Sequence, residues 1–104
     1  MRTYDQKRDA NEGGIIAALK SKACSVEQLP GGNGRPDLLV FDPRSRMMFL
    51  IEVKVPFKKL NTMQKEWHAA WVGPVHLVWS IEEALAILEY YRGQLIVSKT
   101  KRSN

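Results

Sequence analysis

The spacing of apolar residues changes several times along the chain, and each change marks an element. Ile15, Ile16, Leu19 and Ala23 recur at intervals of three and four, one face of a helix over about residues 4–22. Glu12 lies three and four residues before Ile15 and Ile16, so a carboxylate shares that face and should point toward whatever the helix covers. Gly13 and Gly14 cost such a helix about 1 kcal/mol each relative to Ala. Two readings follow: another element approaches the helix closely there, or the helix begins only after Gly14.

The pattern then shortens. Residues 25–29 show weak alternation and predict a short strand, residues 30–34 are a flexible, glycine-rich connection, and residues 38–41 predict a second strand with Asp37 at its entry. Residues 42–46 read as a hairpin turn. The run 47–53 is apolar apart from Glu52, which predicts a central strand covered on both sides. Two-residue periodicity places Glu52 and Lys54 on one face with Met48 and Leu50, and Phe49, Ile51, Val53 and Val55 on the other.

Helical spacing returns after Asn61 or Thr62, either of which can cap a helix to about residue 72, with Leu60, Met63, Gln64, Trp67 and Trp71 on its inner side. Gly73-Pro74 ends it, residues 75–79 form a strand, and Ser80 with Glu83 makes a capping-box pattern for a last helix carrying Ile81, Leu85, Leu88 and Tyr91 inward. A short extra strand is expected over 94–97 and a loose basic tail over 99–104. The resulting fold class is α/β: a sandwich with a mixed central sheet, a three-stranded meander plus a parallel crossover strand, flanked by helices. One domain is expected over 1–98.

Composition narrows the function. The 104 residues carry 16 Lys and Arg against 11 Asp and Glu, a net charge of +5, which favours a polyanionic partner. The single cysteine, Cys24, excludes an internal disulfide framework and a Cys-rich zinc site. No signal peptide and no membrane-length apolar run is visible, so a reducing, cytoplasmic setting is expected.

An acid and an ammonium in an otherwise apolar strand are expensive unless paired or given a metal. Asp37 and Glu52 fall near the ends of adjacent strands. Together with the main-chain carbonyl of Val53 they form an oxygen-rich set suited to Mg²⁺ or Mn²⁺. Lys54 could orient or help deprotonate a water, or offset phosphate charge. Gln64, one turn into the next helix, could hold the water or a phosphate. Glu-X-Lys by itself carries little meaning; Gly34-X-Pro36-Asp37 fifteen residues before Glu52-X-Lys54 carries much more.

Taken together, Gly34-Arg35-Pro36-Asp37-Leu38, Ile51-Glu52-Val53-Lys54-Val55-Pro56 and Leu60-X-X-X-Gln64-X-X-Trp67 resemble the VRR-NUC family of the PD-(D/E)XK nuclease superfamily, in its small stand-alone phage and bacterial form. The resemblance implies a restriction-endonuclease-like sandwich and a Mg²⁺- or Mn²⁺-dependent DNA endonuclease. Asp37 and Glu52 match the metal-binding acids, Lys54 the catalytic lysine, Glu12 the acid on the first helix and Gln64 the glutamine of the following helix. Stand-alone members resemble Holliday junction resolvases, which implies a homodimer acting on branched DNA in a bacterial or phage-infected cell. The alternatives are a non-cleaving nucleic-acid-binding module and a protein whose basic face takes an acidic partner. Among the basic residues, Arg35 is a salt-bridge partner or a DNA contact, and Lys58-Lys59 a solvated turn or a phosphate contact. Arg44, Arg46 and the tail residues Lys99, Lys101 and Arg102 suit backbone phosphates. His68 and His76 show no ligand spacing, and Trp67, Trp71 and Trp79 are expected in the core, with a dimer surface as the alternative for Trp71.

Overall fold

The computed structural model describes residues 3–55 and 59–103, with side chains over 11–55 and 59–94. The elements run α1 (Thr3–Ser21), β1 (Ser25–Gln28), β2 (Leu38–Asp42), β3 (Met47–Val53), α2 (Thr62–Ala70), β4 (Val75–Val78) and α3 (Ile81–Ser103). The sheet order is β1-β2-β3-β4, with β1, β2 and β3 antiparallel and β4 parallel to β3. This is the expected mixed sheet: a longer loop over 29–37, a tight turn over 43–46, then a crossover through α2.

Register separates the two faces. Leu38, Val40, Phe49, Ile51 and Val78 share one face and are buried to within about a percent of completely. Ile15 and Leu19 of α1, and Ala84, Leu88 and Tyr91 of α3, close over them to make the core. Each large apolar side chain buried there contributes roughly 1.5–3 kcal/mol. His76 sits on this face too, edge-on to Phe49 and hydrogen-bonded to the Tyr91 hydroxyl at 2.6 Å. Burial holds its imidazole below the usual histidine range.

The opposite face carries Leu39, Phe41, Met48, Leu50, Glu52, Val75 and Leu77. Its cover is thinner than the apolar run of β3 predicts. Leu50 and Glu52 are buried, but Met48 is 54% exposed, and α2 buries none of its residues.

One open choice is decided and several expectations are corrected. The helix α1 includes Gly13 and Gly14, and a Cβ on Gly14 would stand 3.2 Å from the Ile81 side chain, so a close approach to α3 explains that glycine. The helix stops at Ser21, and Ala23 is exposed at φ 75°, in the turn rather than on the inner stripe. Asp42 is not a turn residue; it ends β2, fully buried. Helix α2 ends at Ala70 and buries none of its residues, so Trp67 is only partly covered, Trp79 is 39% exposed rather than core, and Trp71, 45% exposed, takes a surface place. Ile81 is 40% exposed, and Ala84, with no bulk to advertise it, takes the buried place. Residues 94–97 continue α3, which runs to Ser103, so the extra strand does not form and the basic stretch over 99–103 is helical in its backbone.

Candidate active site

The site forms where β2 begins and β3 ends. Leu38 pairs with Ile51, so Asp37, one residue earlier, comes opposite Glu52. Its main-chain N–H donates to the Ile51 carbonyl at 3.0 Å, and its Oδ2 accepts from the Val53 N–H at 2.8 Å. The Asp37 carboxylate is thereby tied to the strand that carries Glu52 and Lys54. Gly34 sets the approach of this segment: at φ 76° it favours glycine, and a Cβ there would collide with the Met63 carbonyl and the Gln64 main-chain nitrogen. The loop before Asp37 therefore rests directly on the first turn of α2.

That first turn supplies the second part of the site. Asn61 caps α2 through its side-chain oxygen, which accepts from the Gln64 N–H at 2.9 Å, and the Gln64 side chain returns to the Asn61 N–H at 3.0 Å. The Gln64 oxygen also accepts from Lys54 Nζ at 3.2 Å, while its Nε2 donates to Glu52 Oε2 at 3.0 Å. Only this orientation of the amide satisfies both donors and the carboxylate. One side chain thus closes the capping box and clamps Glu52 and Lys54 relative to each other.

Glu52 is 3% exposed and Glu12 fully buried. A charge so placed is retained only where it has compensation or a task. The end of α1 carrying Glu12 is drawn to the site by its neighbour, since Asn11 Nδ2 donates to the Lys54 carbonyl at 3.3 Å. From α2, His68 brings Nε2 to 3.8 Å from Glu52 Oε1. Burial, reinforced by the Lys54 charge, holds the His68 imidazole below the usual histidine range.

The VRR-NUC domain model matches residues 10–71, which span α1 from Ala10, the first three strands and all of α2. This chain belongs to the VRR-NUC family. A solved structure described as a VRR-NUC domain is similar at 25% identity and a TM-score of 0.67, over 79% of this chain and 94% of that one. Curated proteins give no match. The VRR-NUC domain belongs to the PD-(D/E)XK nuclease superfamily, so this is a nuclease-type domain with DNA as its implied substrate. VRR-NUC nucleases depend in general on divalent metal.

The donor chemistry here fits such a metal in kind, with carboxylate oxygens and a strand carbonyl suited to a hard cation. Among the described residues no three His, Cys, Asp or Glu side chains group closely enough to hold an ion by themselves. Mg²⁺ is ordinarily held by one or two carboxylates plus waters and substrate phosphates, so a ready-made protein cage is not required.

The basic residues fall in three places. Arg35 is exposed beside the site, its Nε donating to the Gly32 carbonyl of its own loop at 3.3 Å. Lys59 is exposed between β3 and α2, and Lys58 lies outside the described residues. Arg44 and Arg46 occupy the β2–β3 turn, at the far end of β3 from Glu52 and about 20 Å away at strand rise. They are therefore remote from the acids. Asn11 and His68 were not legible as site residues, because neither stands at a motif spacing. The helical step from Gln64 to His68 was the available signal.

Proposed function

We propose that this VRR-NUC protein is a Mg²⁺- or Mn²⁺-dependent DNA endonuclease that hydrolyses phosphodiester bonds, acting on branched DNA such as four-way junctions as a homodimer. The observation that carries the reading is the Gln64 clamp: one amide on Glu52 at 3.0 Å and on Lys54 at 3.2 Å, with Asp37 opposite on the next strand.

Asp37, Glu52 and the Val53 carbonyl would hold the cation, with Glu12 contributing from α1. When bound, it supplies charge for the scissile phosphate and lowers the pKa of the attacking water. The chain's own residues do the rest. Lys54, steered by Gln64, meets the phosphate or orients the water beside it. Buried neighbours keep the acids in a medium where each electrostatic contact counts for more than in bulk water. Arg35 and Lys59 meet the strand near the cleft; Lys58, between β3 and α2, belongs to the same proposed contact set. Arg44 and Arg46 would contact backbone phosphates about half a turn of duplex away, at a distance of about 20 Å along β3.

Support for a homodimer comes from apolar surface on the side that carries Glu52. Met48 and Leu77 are 54% and 36% exposed there, and Trp71 and Val72, in the connection from α2 to β4, are 45% and 100% exposed. Two copies would present paired sites, which suits a substrate with two equivalent strands.

A panel of labelled four-way junctions, flaps, nicked and plain duplexes, with Mg²⁺ or Mn²⁺ and with chelator, tests the reading. Junction cleavage that needs metal and exceeds duplex cleavage about tenfold is expected. Salt-dependent binding with no product on any substrate would favour the non-cleaving module instead.

A further inference from the structure

We infer that His68 is a positioning residue for the Glu52 carboxylate, gripping Oε1 while Gln64 holds Oε2. This rests on the nuclease reading above. His68 follows Gln64 by one helical step, so both side chains leave α2 toward the same strand. Gln64 donates to Glu52 Oε2 at 3.0 Å, and His68 Nε2 stands 3.8 Å from Glu52 Oε1. That nitrogen is buried with no hydrogen-bond partner of its own among the described residues, and its side chain is only 14% exposed. A buried ring nitrogen in that condition is costly. The ring is nonetheless held in place, edge-on to Trp67 at 5.9 Å, and Trp67 stacks on Trp71 at 4.7 Å.

The arrangement makes sense as a contact completed when the site is loaded. A shift of about 1 Å brings Nε2 within donating distance of Oε1. The carboxylate would then be held from both sides by one helix and oriented for a cation that Asp37 and Glu52 would hold. Outer contacts of this kind typically change metal affinity by 10–100-fold when removed.

Mn²⁺ titration of the full chain without DNA, followed by calorimetry, gives a readout independent of cleavage. H68A is expected to bind Mn²⁺ about tenfold more weakly than the wild type. H68Q is expected to restore most of the affinity and H68N little, because a glutamine amide nitrogen reaches the place of Nε2 and an asparagine nitrogen does not. If H68A does not fold, the H68Q and H68N pair carries the comparison. Wild-type affinity in H68A, or equal affinities in H68Q and H68N, would overturn the inference while leaving the nuclease reading intact. Failure of the wild type to bind Mn²⁺, or equal binding by wild type and E52Q, would overturn both.

Discussion

On the proposed function Gln64 joins stability and chemistry in one side chain, so its loss should show in both. Q64A removes half of the capping box and the link between Glu52 and Lys54. It should cost about 1 kcal/mol of stability in a denaturant titration and lower cleavage tenfold or more. E52Q should behave differently, keeping the fold while cleavage falls by about 10²-fold or more. G34A combines an unfavourable positive φ with a collision against the α2 backbone and should lower stability by about 2 kcal/mol. Glu52 stood out in the sequence because charge in an apolar strand is anomalous, and two-residue periodicity set Lys54 beside it. The spacing placed Gln64 on the inner side of its helix, but the capping box that aims it appears only once the turn is built. His68 was not read as a site residue, since its only link to Glu52 in the sequence is its helical step from Gln64.

The β2–β3 hairpin is anchored to α3 through a group the sequence disguises. Asp42 precedes Pro43 and reads as a turn residue, yet its buried carboxylate takes Arg92 on both oxygens, at 2.8 and 3.1 Å, and Ser45 Oγ at 2.7 Å. Arg92 also donates to the Lys22 carbonyl at 2.8 Å, so one guanidinium ties α3 to the hairpin and to the end of α1. Burial pushes the Asp42 carboxyl up, but bonds from Arg92, Ser45 and the turn N–H groups outweigh it and hold its pKa at about 2. Because the folded value lies below the unfolded one, the stabilisation is complete above about pH 4 and is lost as pH falls toward 2. Thermal melts should lose on the order of 2 kcal/mol across that window, and D42N should flatten the loss. R92A leaves a buried carboxylate without its main partner and should cost about 3 kcal/mol by denaturant titration. The strand order, the antiparallel turns and the parallel crossover were all legible from period and connection length. The end of α3 was not: Leu95-Ile96-Val97 favours a strand locally, but a helix already formed gains a hydrogen bond for each residue it adds.

The whole chain combines a positive balance with a sheet that is thickly covered on one face and thinly on the other. The net charge of +5 should make DNA binding weaken steeply with salt. The exposed Trp71 and Leu77 should mark where two copies meet. Charge placed there by W71E or L77E should shift the mass measured by light scattering toward the monomer while the circular dichroism of the fold is unchanged. The positive balance and the α/β architecture were readable from composition and period; the thin face was not, because the apolar run of β3 looks the same whether one layer or two covers it. The most direct measurement is single-turnover cleavage of a labelled four-way junction by the wild type, E52Q and D37N, with Mn²⁺ and with chelator. Metal-dependent product from the wild type, reduced by about 10²-fold or more in both variants, is the expected result. Undiminished cleavage by E52Q and D37N, or no product from the wild type with metal present, would contradict a nuclease built on these acids.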